Sequence, residues 1–141
     1  MRTGGQPIRS MDGRGVLVVD DCADTRRLMR LLLAHEGALV SEAEDGRDAL
    51  RTVLGKHQQL SLILMDVIMP VIDGLTATRV LRERGVRVPI IAVTASIEPA
   101  IEQQCFSVGC SGYFSKPIDR SNFLRVCRYW SALRCGGRLA A

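Results

Sequence analysis

Leu60-Ser61-Leu62-Ile63-Leu64-Met65-Asp66 is an almost wholly apolar run that ends in an acid, and Val67-Ile68-Met69-Pro70-Val71-Ile72-Asp73-Gly74 carries it through a proline to an Asp-Gly turn pair. A run of this length, closed by turn residues, fits a strand buried on both faces, as in a parallel sheet covered by helices on either side. Gly15-Val16-Leu17-Val18-Val19-Asp20 repeats the pattern near the N-terminus, richer in β-branched residues and again closed by acid. Two buried strands that each deliver a carboxylate at their end point to a fold class and to the place where its chemistry lies.

Outward from these runs, strands and helices alternate. Leu28, Met29, Leu31 and Leu32 fall at helical spacing between Asp24 and Glu36, and Gly37 supplies a stop. Leu39–Ala43 reads as a short strand and Gly46–Leu54 as a helix with Ala49, Leu50 and Val53 inward. Leu75–Arg84 is a third helix and Val88–Thr94 a fourth strand. Pro99–Val108 is a helix with proline in its first turn, Ile101, Cys105 and Val108 on one face and Gly109 as the stop. Tyr113–Ser115 is a fifth strand, and Ser121–Leu133 a fifth helix with Ser121 as N-cap and Phe123, Cys127 and Trp130 as its inner stripe. Five strands alternating with five helices predict one α/β domain over residues 15–133, a doubly wound parallel sheet, with flexible ends at 1–14 and 134–141.

The 141 residues leave room for one such domain, and the 47% hydrophobic and 24% charged content is that of a globular chain rather than a fibrous or disordered one. No apolar stretch approaches the ~20 residues of a membrane-spanning helix. Met1–Arg14 also lacks the apolar centre of a secretory signal, so a cytoplasmic protein with no membrane partner is expected. The net charge of +4 comes largely from arginine, with Arg120, Arg125, Arg128, Arg134 and Arg138 gathered near the C-terminus and Asp119 beside them. A solvated helix face is the simpler account and an acidic protein surface the second; nucleic acid is not expected, since no arginine stands beside exposed aromatics or in a recognition helix. The five cysteines show no metal-ligand spacing, which argues against a zinc site or a disulfide framework. Cys105 and Cys127 read as small buried hydrophobes. Cys22 reads as a packing residue whose thiol the neighbouring carboxylates should raise in pKa.

In an open parallel sheet the functional crevice lies beyond the carboxyl ends of the strands. Those ends carry Asp20 and Asp21, Asp66, Thr94 and Lys116, so carboxylates, a hydroxyl and an ammonium converge. Packed carboxylates repel unless a cation or protons neutralise them, and an all-oxygen ligand set favours a hard ion such as Mg²⁺, which keeps water and accepts phosphate oxygens. Lys116 is a compact charge able to pair with Asp66 at rest and with a phosphoryl oxygen afterwards. The set suits in-line phosphoryl transfer onto a carboxylate.

Val-Leu-Val-Val-Asp-Asp at 16–21, Met-Asp-Val-Ile-Met-Pro-Val-Ile-Asp-Gly at 65–74, Val-Thr-Ala at 93–95 and Gly-Tyr-Phe-Ser-Lys-Pro at 112–117 together resemble the receiver domain of two-component response regulators, of the chemotaxis-regulator type. The resemblance covers roughly residues 15–133 and implies a flavodoxin-like sheet of order 2-1-3-4-5 with five helices. It implies Asp66 as phosphoacceptor, Mg²⁺ held by Asp21, Asp66 and the backbone carbonyl of Ile68 with Asp20 acting through water, and Thr94 and Lys116 contacting the phosphoryl oxygens. Tyr113 matches the switch aromatic that moves with Thr94. The implied partners are a histidine kinase or histidine phosphotransfer protein as donor and an effector protein meeting the surface of helix 4, strand 5 and helix 5. A phosphorylation-dependent homodimer through that surface is a further expectation. The apolar Ile68 and the hydroxyl of Ser96 occupy positions that tune phosphoryl lifetime in the family, and a long-lived phosphoryl group is expected.

The resemblance describes a phosphoacceptor rather than an enzyme. The eight to eleven residues beyond the last helix are too few for an output domain, leaving a stand-alone or phosphorelay regulator and a receiver from a hybrid histidine kinase as the two forms expected. A Mg-dependent aspartyl-phosphate phosphatase of the haloacid dehalogenase type is the alternative from another class, but its Asp-x-Asp motif follows the first strand, whereas Asp20 and Asp21 are adjacent.

Overall fold

The computed structural model describes residues 10–56, 59–95, 98–135 and 138–139. Its elements are β1 (Gly15–Val19), α1 (Ala23–His35), β2 (Leu39–Ala43), α2 (Gly46–Lys56), β3 (Leu62–Asp66), α3 (Gly74–Glu83), β4 (Ile90–Thr94), α4 (Pro99–Val108), β5 (Gly112–Ser115), α5 (Arg120–Ala132), β6 (Arg134–Cys135) and β7 (Arg138–Leu139). The first five strands form one parallel sheet in the order β2-β1-β3-β4-β5, as expected, with Leu17 level with Ile63 and Ile63 level with Ile90.

Successive strand residues point to opposite faces, and the two cores follow that period of two. Leu17, Val19, Ile63, Met65, Ile90 and Ala92 pack with Ala49 and Val53 of α2, Ala77 and Leu81 of α3 and Cys105 of α4. Val16, Val18, Leu62, Leu64, Ile91 and Val93 pack on the other side with Met29 and Leu33 of α1 and with Phe123, Leu124 and Cys127 of α5. Every residue of β1, β3 and β4 is buried, which is why these strands read as continuous apolar runs. The exposed edge strand β2 carries Leu39, Ser41 and Glu42 in an irregular pattern.

The helix ends have identifiable causes. Asp73 caps α3 by accepting the Thr76 N–H at 2.7 Å, and α4 begins with Pro99 in its first turn. Ser121 is not the cap of α5: the helix begins at Arg120, and Asp119 accepts the Asn122 N–H at 3.0 Å, a carboxylate suiting the positive end of the helix dipole. On α1 the buried stripe is Met29 and Leu33, one turn apart, whereas Leu28 and Leu31 face solvent.

The chain is held firmly ahead of β1. Residues 1–9 of the expected N-terminal extension lie outside the described residues, but residues 10–13 form a turn and Met11 is fully buried between α1 and the sheet. The Met11 N–H donates to Glu36 O at 3.1 Å and the Gly13 N–H to Gly37 O at 3.0 Å. Arg14 donates to Ser131 Oγ at 3.0 Å, and Arg128 pairs with Glu36 at 2.9 Å, so the start of the domain, the end of α1 and the end of α5 share one polar cluster. After α5, β6 and β7 pair antiparallel within the segment expected to be a tail. Among the described residues no helix is long and apolar enough to cross a membrane.

The connection from β1 goes outward to β2 on one side, and that from β2 returns across the sheet to β3 on the other. The strand order therefore reverses between β1 and β3, the switch point at which such sheets open a crevice. Met11→Ala is expected to cost about 2–3 kcal/mol, the value of emptying a buried methionine site, seen as a lower urea midpoint at unchanged slope. A change below about 0.5 kcal/mol would mean that the turn does not belong to the cooperative unit.

Candidate functional site

The carboxyl ends of β1 and β3 lie side by side, and the residues that follow each strand complete the site. Asp66 closes β3, and the loop beyond it folds back so that the Gly74 N–H donates to Val67 O at 2.9 Å. A Cβ at Gly74 would stand 2.0 Å from Asp66 O, so only glycine lets α3 start this close to the acid. Gly46 does the same from the β2–α2 turn: its N–H donates to Ile72 O at 3.1 Å, and a Cβ there would meet that oxygen at 2.2 Å. Within the loop Val71 adopts φ 70°, costly for a β-branched residue by roughly 1–2 kcal/mol, and its side chain is 68% exposed beside Ile68 at 70%.

Asp20, Asp21 and Asp66 each offer a carboxylate oxygen, all within 4.8 Å of one another. Asp20 is fully buried, Asp66 nearly so and Asp21 exposed. Asp20 Oδ1 accepts the Cys22 N–H at 2.8 Å, and Arg26 donates to the Asp20 carbonyl at 2.8 Å, which fixes the β1–α1 turn. Asp20 Oδ2 has no aligned hydrogen-bond partner. The Lys116 ammonium lies 2.9 Å from that oxygen and 3.7 Å from Asp66 Oδ2. The expected resting pair of Lys116 with Asp66 is thus secondary to its pair with Asp20, because the more deeply buried carboxylate has the greater need of a counter-charge.

Burial pushes the Asp66 carboxyl up to about 6, with the Asp20 charge adding to it and Lys116 and the Ile68 N–H opposing it. Burial lowers the Lys116 ammonium, but its contact with Asp20 and the charges of Asp66 and Asp20 outweigh this and leave its pKa raised. Three carboxylates against one ammonium leave excess negative charge on an all-oxygen set, the chemistry that a hard divalent cation prefers. The donor set fits such an ion.

Thr94 ends β4 and is buried, level with Ser115, and its carbonyl accepts the Lys116 N–H at 2.7 Å. Asp66, like Leu62 and Leu64, and Lys116, like Phe114, fall on the parity of the α1–α5 face. Thr94 continues that of Ile90 and Ala92 on the face of α2, α3 and α4, where Tyr113 packs half-buried. Partial burial raises the Tyr113 hydroxyl, followed by the fields of Cys105, Glu102 and Glu98. The sequence-predicted residues therefore assemble at one edge, with Tyr113 turned toward α4. Ser96 lies outside the described residues.

Cys22 is exposed, and its thiol is lowered rather than raised: the nearby Thr25 hydroxyl, then the Thr25 and Asp24 N–H groups, favour the thiolate and outweigh burial and the field of Asp20, although none is aligned as a helix cap on the sulfur. Sequence reasoning weighed only the neighbouring carboxylates and missed these dipoles because they gather at the sulfur only once the first turn of α1 brings Thr25 and the free N–H groups back to the residue before the helix.

Residues 16–128 match the family model of the response regulator receiver domain. Over 112 residues the chain is 41% identical to the transcriptional regulatory protein ResD of Bacillus subtilis, an alignment covering 79% of this chain and 45% of that protein. The chain thus spans less than half the length of that relative. Its fold is similar to the chemotaxis protein CheY4 of Vibrio cholerae, with a TM-score of 0.78, 28% identity and coverage of 83% of this chain and 98% of that one. The receiver domain of a sensor histidine kinase of Pseudomonas aeruginosa, solved with a magnesium ion coordinated in its active site cleft, is similar at a TM-score of 0.76 and 34% identity, covering 85% and 98%.

The raised Asp66 pKa fixes the sign of a stability change. Below pH 4 the carboxyl is protonated in both folded and unfolded chains and contributes nothing; between pH 4 and 6 the unfolded chain ionises first, and above pH 6 the folded chain carries the full penalty. Asp66→Asn in metal-free buffer is therefore expected to stabilise the domain by on the order of 1 kcal/mol at pH 7.5, after solvent screening, and not at pH 4. Equal denaturant midpoints for the two proteins at pH 7.5 would contradict the geometry.

Proposed function

The chain belongs to the response regulator receiver domain family, and on that premise we propose that Asp66 is the residue through which it accepts a phosphoryl group. The observation that carries this reading is the set of three carboxylates within 4.8 Å of one another, with the Lys116 ammonium 2.9 Å from the buried one. The module is a phosphoacceptor of two-component signalling, of the kind found in response regulators and histidine kinases.

Asp66 stands at the end of a rigid strand, and the Ile68 N–H donates to its carboxylate, so the acceptor oxygens are oriented before a donor arrives. Asp21, Asp66 and the Ile68 carbonyl, with Asp20 behind them, would hold Mg²⁺, which would supply neutralising charge to the carboxylates and to the phosphoryl oxygens. Its fit rests on the donor set, three carboxylates against the single Lys116 ammonium; the Pseudomonas receiver holds a magnesium ion in its own active site cleft. Lys116 leaves the Asp20–Asp66 pair to meet a phosphoryl oxygen, and Thr94 gives its hydroxyl to the same group. Thr94 lies on the α4 side of the sheet, so its movement draws Tyr113 with it and alters the surface of α4, β5 and α5. A histidine kinase or phosphotransfer protein is the donor. That altered surface is the place for an effector or a second copy of the chain, and the working unit is residues 15–133 together with the docked turn that carries Met11.

Incubation with acetyl phosphate and Mg²⁺ is expected to add one hydroxylamine-sensitive phosphoryl group in intact-mass spectrometry. The addition should be lost with Asp66→Asn and with chelator. Modification that persists in Asp66→Asn would remove Asp66 from this role. Ile68 is exposed and apolar, so the expected long-lived phosphoryl group follows from a wall with no donor to place water. Ile68→Asn is expected to shorten the lifetime about 2–10-fold, the value of one added hydrogen bond, measured as decay of the phosphorylated mass.

A further inference from the structure

Helix α4 ends in a Schellman arrangement. Gly109 takes φ 109°, its N–H donates to Phe106 O at 3.1 Å, and the Cys110 N–H donates to Cys105 O at 3.0 Å. This reversal brings the side chains on either side of the last turn together, ordinarily as an apolar contact. Here both side chains are thiols, both buried, each close enough to act on the other's titration, with the buried Thr78 hydroxyl of α3 beside Cys110. The 3.0 Å bond from Cys105 O to Cys110 N, with the fixed bond lengths on either side, holds the two Cα atoms within about 7 Å. Because the atoms are not collinear the separation is shorter still, in the roughly 4.4–6.8 Å range that a disulfide spans. Arg82 anchors the turn by donating to Gly109 O at 2.9 Å and to Val88 O at 2.8 Å.

We propose that Cys105 and Cys110 form a reversible intrachain disulfide that pins the last turn of α4 to the entry of β5. The oxidant is a peroxide. One thiol gives up its proton and its sulfur attacks a peroxide oxygen, breaking the O–O bond to leave a sulfenic acid and one water. The second sulfur then attacks the sulfenic sulfur and releases the other water, so two thiols are oxidised and hydrogen peroxide is reduced to two waters. Burial pushes the Cys110 thiol up to about 12, with the neighbouring Cys105 adding to it, and raises Cys105 as well. Both thiols stay protonated while α4 is packed, and oxidation waits on opening of its last turn. Cys105 faces Tyr113, and Cys110 enters the strand that carries it, so the bond closes beside the aromatic whose movement defines the output surface. Cys127 lies in the core on the other face of the sheet and Cys22 is exposed at the β1–α1 turn, so neither competes for the pair.

The test uses the full, folded, metal-free chain, so it is independent of phosphorylation. The chain is treated with hydrogen peroxide, denatured, blocked with N-ethylmaleimide and digested with trypsin. Cys105 and Cys110 share the peptide of residues 88–120, because Lys116 precedes proline. The expected product is that peptide lighter by two hydrogens and carrying no maleimide, returning to two maleimides after dithiothreitol. In Cys105→Ala or Cys110→Ala the remaining thiol of the peptide should take up maleimide. Two maleimides on the wild-type peptide while Cys22 is oxidised, or sulfinic acid on one of its cysteines, would overturn the proposal. The wild-type map decides the matter even where an alanine variant does not fold.

Discussion

Like charges gathered at the end of a buried strand are the constraint around which the domain is built. Asp20 and Asp66 are both removed from water, and the attraction of one ammonium offsets only part of their repulsion. The remainder is kept in place by the sheet, because two strands buried on both faces cannot relax outward without opening two cores. Stability elsewhere thus holds the site poised: burial pushes the Asp66 carboxyl up to about 6, and Asp20 shares one ammonium with it. A centre in this condition has a large favourable response to added positive charge, which is what an acceptor of a divalent ion and a phosphoryl group requires.

Most of the architecture was legible because burial on both faces leaves a compositional mark. The runs ending at Asp20 and Asp66 announced β1 and β3, and the stops at Gly37 and Gly109 announced helix ends that fall within a residue or two of their expected places. Long-range choices were not legible. That Lys116 pairs first with Asp20 depends on which carboxylate is deeper, a property of three strands at once. Met11 gave no periodic signal, since a single residue docked under α1 has no neighbours of its own kind. Asp119 and Ser121 are both good caps, and the choice rests on where the chain leaves β5. The lowered thiol of Cys22 arose from the Thr25 hydroxyl and the N–H groups of the first turn of α1, which reach the sulfur only when the helix forms.

The two faces of the sheet divide the labour. Asp66 and Lys116 fall on the parity of α1 and α5, Thr94 and Tyr113 on that of α4, and the backbone bond from Lys116 to the Thr94 carbonyl joins them across the edge. On the proposed reading, group transfer at one face is tied through the hydroxyl and ammonium to a surface on the other. The thiol pair under α4 lies in the core of that second face, apart from the carboxylates.

The burial of β3 on both faces has an evolutionary corollary. A strand with apolar residues throughout tolerates a slip of one position as far as its packing is concerned, since each face would receive side chains much like those it lost. Asp66 would not tolerate it: one residue inserted or deleted within Leu62–Met65 turns the carboxylate from the Lys116 side to the α4 side. The core is thus nearly blind to register, and the acid at its end is what makes register matter. A change of length in this strand would therefore displace the acid even where the packing could be rebuilt, and the close glycine contacts of the following loop would be displaced with it.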